Sequence, residues 1–120
     1  MLKELQIPER PNFQNSKKSV NIKGEKMKTV MVRSAQAGVF YGQLVSRDGD
    51  VVTLRGARRV YYWSGAATLS ELATRGPSKP QSCKFPTPTE GEHIILGVCE
   101  IIPVTKKALS ALEEVPIWTA

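Results

Sequence analysis

Histidine and cysteine are scarce in this 120-residue sequence, which has one histidine, His93, and two cysteines, Cys83 and Cys99. The cysteines lack CxxC spacing, so neither a disulfide framework nor a Cys/His zinc site is expected. His93 opens an apolar segment with no Ser or Cys motif nearby, and we expect it to cap or pack rather than to act as a general base. The sequence therefore predicts no catalytic residues, no metal site, no cofactor and no enzymatic activity.

Long apolar runs and glycine-rich phosphate loops are also absent. The longest apolar stretch, residues 94–104, contains Glu100 and Pro103 and is shorter than the roughly 20 residues that cross a bilayer. Residues 1–26 are mostly polar and carry no apolar signal core. Neither a P-loop nor a GxGxxG motif occurs. We therefore expect no membrane association and a cytoplasmic location.

Positive charge is in excess. Lysine and arginine together number 17 and aspartate and glutamate 11, which gives a net charge of +6 at pH 7. Such an excess favours polyanionic or phosphate-bearing ligands through long-range attraction. Acidic residues occur in three close pairs, at positions 48 and 50, 90 and 92, and 113 and 114, and each pair is predicted to be solvated surface.

Two segments differ in composition. Residues 1–26 hold six basic and three acidic residues and no sustained hydrophobic period, which predicts a basic, flexible N-terminal tail. An arm docked on a neighbour is the alternative. Residues 27–120 carry strand-like patterns and turn signals, which predict a single β-rich domain. A domain of this size gains core and a shared pocket by pairing, so a homo-oligomer is expected.

Four short segments have the β-branched or alternating pattern of strands: 29–33, 38–46, 51–54 and 58–63. Turns are predicted at Asp48-Gly49 and at Gly56-Ala57. Residues 93–104 are apolar on both faces for most of their length, which predicts the most buried strand. Pro103 places the end of that strand at a sheet edge.

Two short helices are also predicted. Thr68 and Glu71 have the spacing of a capping box, and Gly76-Pro77 ends the helix that they begin. Thr105 caps a second helix over residues 106–114. The predicted fold class is therefore α+β, mainly β, with a small antiparallel twisted sheet or partly open barrel and two short helices.

The segment richest in chemistry is RGARRVYYW, residues 55–63. Guanidinium groups are planar donors for phosphate oxygens, and aromatic faces stack on bases. Strand alternation would place Arg59, Tyr61 and Trp63 on one face and Arg58, Val60 and Tyr62 on the other. The alternative is that the aromatic side chains fill the core while the arginines lie in solvent.

The candidate ligand-binding residues are Arg58 and Arg59 for phosphates, Tyr61 or Trp63 for stacking on a base, and Lys84 with Phe85 to close the site. Lys84 and Phe85 belong to a proline-rich loop over residues 77–89. Loops carried on a rigid sheet often hold binding groups. The alternative for this loop is a plain surface connection.

The series VRSAQAGVFYGQLVSRDGDVVTLRGARRVYYWSGAATLSELATRG, followed by KPQSCKFP, EIIPVT and VPIW, resembles a family of small proteins encoded mostly by tailed bacteriophages and prophages. The resemblance runs from about residue 27 to the C-terminus, and YYWSGAATLSELA is its most specific part. It implies a phage accessory protein in the cytoplasm of an infected bacterial host, and it brings no established catalytic residues. Some phage accessory proteins are similar to molecular sponges that sequester nucleotide immune signals, and others bind host proteins or nucleic acid.

Basic charge and the arginine-aromatic segment support one functional hypothesis and two alternatives. The first is non-catalytic capture and sequestration of a phosphate-bearing nucleotide immune signal. The second is a nucleic-acid-binding accessory protein, in which the tail lysines and the same arginines contact a phosphate backbone. The third is an inhibitor that docks on a host protein through Trp118 or Trp63.

Overall fold

The structure of the protein, a computed structural model, describes residues 28–119. The tail predicted at residues 1–26 lies outside the described residues. The strands of the described chain are β1 (Thr29–Ser34), β2 (Gly38–Asp48), β3 (Val51–Arg59), β4 (Glu92–Ile95) and β5 (Val98–Pro103), and its helices are α1 (Leu69–Arg75), α2 (Lys106–Glu113) and a 3₁₀-helix, Pro80–Ser82. None of these helices is long and apolar enough to cross a membrane.

All five strands belong to one antiparallel sheet in the order β4-β3-β2-β1-β5. This arrangement confirms the predicted α+β, mainly β class, and the sheet is open rather than closed into a barrel. Only Leu96 and Gly97 connect β4 and β5, although these strands lie at opposite edges. Because each residue spans at most about 3.6 Å, the two edges approach each other at this connection, and the sheet is strongly curved. Ser34 Oγ donates to the Leu96 carbonyl at 2.8 Å and fastens the connection to β1.

The single buried strand predicted over residues 93–104 is wrong. The chain turns at Gly97, whose φ of 67° favours glycine, and the segment forms two edge strands. Each edge strand has a solvent-facing side, so Ile94 and Leu96 are exposed while Ile95 is buried. Apolar residues on both sides therefore reflect two half-exposed strands rather than one central strand. The prediction that Pro103 lies at a sheet edge is confirmed.

The turn predicted at Gly56-Ala57 is also wrong, because β3 continues through these residues. Gly56 has a φ of 65° and forms a β-bulge, in which Gly42 of β2 stands opposite both Gly56 and Ala57. The extra residue shifts the side-chain alternation by one position. Arg55 and Arg58, three positions apart, therefore face the same side of the sheet.

Each face of the sheet carries its own apolar core. On the helix face, which packs against α1 and α2, the largest fully buried side chains are Met31, Leu72, Phe85 and Leu112. On the opposite face they are Val32, Phe40, Val52, Leu54 and Ile95. Ile95 from one edge strand and Ile101 from the other meet in this second core, which makes it the concave face of the curved sheet.

The helix ends follow the predicted caps. The Thr68 side chain accepts from the backbone N–H of Glu71, and α1 ends at Gly76, as predicted. Thr105 Oγ1 accepts from the Ala108 N–H at 3.0 Å, which confirms the cap of α2. The same hydroxyl donates to the carbonyl of Thr74 at 2.6 Å, so one side chain both begins α2 and joins it to the end of α1.

The two threonine caps should differ in their effect on stability. Replacing Thr68 by alanine removes one cap, whereas Thr105→Ala also removes the hydrogen bond between the helices. We expect Thr68→Ala to lower the free energy of unfolding by about 1 kcal/mol and Thr105→Ala by about 2 kcal/mol. Urea denaturation followed by tryptophan fluorescence measures both values. Equal losses would mean that the bond to Thr74 contributes nothing.

Candidate functional site

Arg58 is the one charged side chain in residues 28–119 that is buried, with 6% of its surface exposed. Its Nε donates to the carbonyl of Pro86 at 3.1 Å, and its Nη2 lies 3.0–3.1 Å from the carbonyls of Phe85, Val115 and Pro116. Neutral oxygens thus satisfy the Nε and Nη2 donors, and no carboxylate of the described residues forms an ion pair with the guanidinium. The side chain holds the proline-rich loop and the C-terminal segment onto β3.

Tyr41 lies opposite Arg58 in the sheet and shares its burial. Arg58 Nη1 donates to Tyr41 Oη at 3.4 Å, near the long limit for a hydrogen bond. Burial raises the pKa of the Tyr41 phenol above its ordinary value of 10.0, and the hydrogen bond from Arg58 opposes this effect. The phenol is therefore held in its neutral form and remains a hydrogen-bond donor.

Arg59 points to the concave side of the sheet, away from Arg58. It pairs with Phe40, and its guanidinium carbon lies 4.3 Å from the centre of the Phe40 ring. A guanidinium N–H also donates to the carbonyl of Ala37. Strand alternation predicts this division of the two arginines, and the structure does not bring Arg58 and Arg59 to a common surface.

Trp63 and Phe85 contribute mainly to packing. Phe85 is fully buried, with its ring edge against Tyr41 at a centroid distance of 6.0 Å. Trp63 is half-buried against the helix-face core, and its Nε1 donates to the carbonyl of Ala66 at 3.1 Å. These two candidate residues therefore belong to the helix-face core rather than to an exposed surface.

Five other side chains form what we call the aromatic patch: Tyr61, Tyr62, Lys84, Ile117 and Trp118. Tyr61 and Trp118 stack with a centroid distance of 5.0 Å and an angle of 7° between their planes. Lys84 Nζ lies 5.6 Å from the Trp118 ring centre and 5.9 Å from that of Tyr62. Of the six predicted site residues, the structure brings Tyr61 and Lys84 together here.

Backbone hydrogen bonds assemble the patch from three chain segments. The N–H groups of Tyr61 and Tyr62 both donate to the carbonyl of Lys84, and the N–H of Trp118 donates to the carbonyl of Phe85. The strand predicted over residues 58–63 ends at Arg59 instead, so strict alternation does not extend to the two tyrosines. Both are exposed, at 62% for Tyr61 and 51% for Tyr62.

Sequence reasoning missed Tyr62 and Ile117 as members of this surface. A parallel bridge joins Phe85 to Ile117 and places Trp118 beside the loop that carries Lys84. Which ring Trp118 would meet depends on a pairing across more than fifty residues, which no local pattern encodes.

A second feature, which we call the central groove, lies between α2 and the β2–β3 pair. It consists of two adjoining cavities of about 270 and 240 Å³ that share Tyr41, Gly56 and Glu113. Arg58 and Ile117 line the first cavity, and Arg55 and Leu109 line the second. Glu113 is exposed, as predicted for a solvated acid, but it also forms part of the groove wall. Ile117 borders both the groove and the aromatic patch.

Side chains that could hold a metal ion do not gather in the part of the chain that the structure describes. Within residues 28–119, no three side chains of His, Cys, Asp or Glu lie together as metal ligands. His93 packs edge-on against Phe40 at 5.0 Å, and its Nδ1 lies 2.8 Å from Thr89 Oγ1. The histidine is packed, as expected from the sequence.

Loss of Arg58 should destabilise the fold more than loss of Arg59. Arg58→Met removes the donor to the carbonyls of Pro86, Val115 and Pro116, and we expect it to lower the free energy of unfolding by about 3 kcal/mol. Arg59→Met removes an exposed side chain and should cost about 1 kcal/mol or less. Urea denaturation of the two variants tests this difference. Similar losses would contradict the structural role of Arg58.

Ionisation of Tyr41 should weaken the fold at alkaline pH. Because its folded-state pKa is raised, this contribution to stability is complete below the unfolded-state pKa of about 10 and is lost as pH rises through the folded-state value. Tyr41→Phe cannot ionise. The free energy of unfolding of the wild type should therefore fall relative to that of Tyr41→Phe in urea titrations above about pH 10. A constant difference across that range would contradict the expectation.

Comparison with known proteins gives one match. The family model of a domain of unknown function, DUF6948, matches residues 27–112. No curated protein and no solved structure matches the chain. The matched region contains Tyr61, Tyr62 and Lys84 of the aromatic patch, whereas Ile117 and Trp118 lie beyond it. Because the match covers well over half of the chain, the protein belongs to the DUF6948 family.

Proposed function

We propose that the protein is a non-catalytic binding protein that recognises a nucleotide, with the base stacked on the aromatic patch and the phosphate charge met by Lys84. The observation that carries this proposal is the stack of the exposed Tyr61 ring on the half-buried Trp118 ring, beside Lys84. The ligand is bound and released without chemical change.

The stacked pair is suited to a planar ligand. Stacking uses one face of each ring, and Tyr61 keeps 62% of its surface exposed, so part of the platform remains open to a base. Base-aromatic stacking contributes about 1–3 kcal/mol per base and tolerates any base.

Lys84 supplies the charge that a bare aromatic surface lacks. Its ammonium group lies within 6 Å of two ring centres, which places a cation beside the stacking platform. A lysine on a flexible stem can follow a phosphate group, whereas Arg58 is held by backbone carbonyls. The net charge of +6 adds long-range attraction for phosphate-bearing ligands.

The base and phosphate that the patch would bind could belong to a free nucleotide or to a single-stranded nucleic acid. For the phage accessory protein that the sequence resemblance implies, binding of a free nucleotide amounts to sequestration of an immune signal in the host cytoplasm. Binding of a strand amounts to a nucleic-acid accessory role. The two differ in salt dependence, because strand binding releases condensed counterions and weakens steeply as salt increases.

Docking on a host protein is a second candidate, favoured by Ile117. This aliphatic side chain is 50% exposed beside Trp118, and a nucleotide does not require it. Tryptophan and tyrosine are enriched at protein-protein hot spots, and here Trp118 directly follows the exposed Ile117 in the chain. A host protein that copurifies with the wild type and is lost with Ile117→Ser would support this candidate over the nucleotide.

The stacking proposal predicts quenching of Trp118 fluorescence. Trp63→Phe leaves Trp118 as the one tryptophan, and this variant is titrated with nucleoside monophosphates, cyclic dinucleotides and single-stranded oligonucleotides at about 50 and 200 mM salt. In this background Tyr61→Leu should weaken binding at least about fivefold through loss of stacking. Lys84→Gln should weaken binding and reduce its salt dependence. Mass spectrometry of the released ligand should return it unchanged.

Matched controls separate the patch from general surface effects. Leu96→Ser removes an equally exposed apolar side chain, and Lys79→Gln removes a charge from the same loop as Lys84; both should bind as the parent does. If no probe changes Trp118 emission, or if the controls weaken binding as much as Tyr61→Leu and Lys84→Gln do, the proposal fails. A chemically altered nucleotide would indicate an enzyme instead.

A further inference from the structure

We propose that the central groove contains a phosphate-binding subsite over Gly56, between the side chains of Arg55 and Arg58. The nucleotide as the source of that phosphate rests on the proposed function, whereas the groove's preference for an anion rests on its own residues. Neither the sequence motifs nor the aromatic patch identifies this site.

The β-bulge at Gly56 places Arg55 and Arg58 on the same face of the sheet. Without the extra residue, two side chains three positions apart in a strand would point to opposite faces. Gly56 adds that residue, so Arg55, paired with Gln43, and Arg58, paired with Tyr41, lie on the helix face at either end of the bulge. Arg55 also pairs with Glu92 of β4 at 2.9 Å, and it lines the second cavity of the groove.

The groove floor presents hydrogen-bond donors. Among the described residues, Arg58 Nη1 has Tyr41 Oη as its partner at 3.4 Å, and since Nη1 carries two hydrogens, one remains available to a ligand. Tyr41 accepts that bond and keeps its own O–H as a donor. Arg58 is 94% removed from solvent by burial, with only neutral oxygens around it. An anion therefore gains more from this cation than from one in water.

Space over the bulge fits a small anion. A Cβ built on Gly56 meets no atom within 4 Å, so the volume above this residue is open to the groove. The cavity beside Arg58 measures about 270 Å³, below the roughly 300–1,000 Å³ of pockets that enclose drug-sized ligands. A phosphate-sized group suits it better than a whole nucleotide does. Ile117 lines this cavity and is followed in the chain by Trp118, so the groove and the aromatic patch are linked through adjacent residues.

The Glu113 side chain is the acidic group in the lining of the groove, so its substitution tests for a bound anion. Its carboxylate lines both cavities and repels an anion bound there. Glu113→Gln should therefore tighten phosphate binding about three- to tenfold. Glu114→Gln is the matched control, because it makes the same charge change at the next residue, which does not line the groove. Arg55→Gln should weaken binding, with Arg33→Gln, which breaks the comparable pair with Glu100, as its control.

The experiment is an NMR titration of the full chain with inorganic phosphate, with a nucleoside and with the corresponding nucleoside monophosphate. Phosphate should shift the backbone amides of Gly56 and Ala57, and the Glu113→Gln variant should respond at lower concentration than Glu114→Gln. The monophosphate should shift these amides and the Trp118 indole together. Unshifted Gly56 and Ala57 amides, or equal effects of the two glutamine variants, would overturn the subsite.

The titration distinguishes failure of the phosphate subsite from failure of the proposed nucleotide binding. A nucleoside that shifts the Trp118 indole while phosphate leaves the groove unchanged overturns the subsite and supports the proposed function. Phosphate that shifts Gly56 while neither nucleoside nor monophosphate reaches Trp118 supports the subsite and overturns the proposed function.

Discussion

One buried cation determines how the surface of this protein is assembled. Arg58 reaches from β3 to carbonyls in two segments that are distant in sequence, the proline-rich loop and the C-terminal residues 115–116. A buried charge is costly unless hydrogen bonds replace its lost hydration, so the carbonyls must stay where the guanidinium can reach them. Those same segments carry Lys84 and Trp118 to Tyr61. The aromatic patch therefore depends on a residue that does not belong to it.

The β-bulge at Gly56 is the second constraint, and it acts through strand geometry. By shifting the alternation once, it places Arg58 on the helix face, where the loop and C-terminal segment lie, and leaves Arg59 on the concave face against Phe40. A strand without the bulge would exchange the two arginines. The burial of Arg58 and its place on the groove floor therefore both depend on Gly56, whose φ is 65°.

Local signals in the sequence predicted the local structure well. The caps at Thr68 and Thr105 and the open, mainly β class follow from patterns within a few residues. Failures arose where distant pairing decides the outcome. Residues 93–104 are apolar on both sides, yet they form two opposite edges of the sheet because the curved sheet brings those edges together. Composition alone identified residues 55–63 as a candidate site. Its side chains do not share one surface, because β3 ends at Arg59 and Arg58 is buried by hydrogen bonds to carbonyls that are distant in sequence.

The different roles of Arg58 and Lys84 follow from the chemistry of their side chains. A planar guanidinium with several fixed donors suits the immobile carbonyls around Arg58, and a lysine on a flexible stem suits the solvent-facing position over Tyr62 and Trp118. Carbonyl oxygens carry only partial negative charge, so they satisfy the donors of Arg58 without cancelling its full positive charge. Since no carboxylate of residues 28–119 pairs with it, that charge remains in the field of the groove. The side chain that holds the surface together therefore also leaves a positive charge beside the groove.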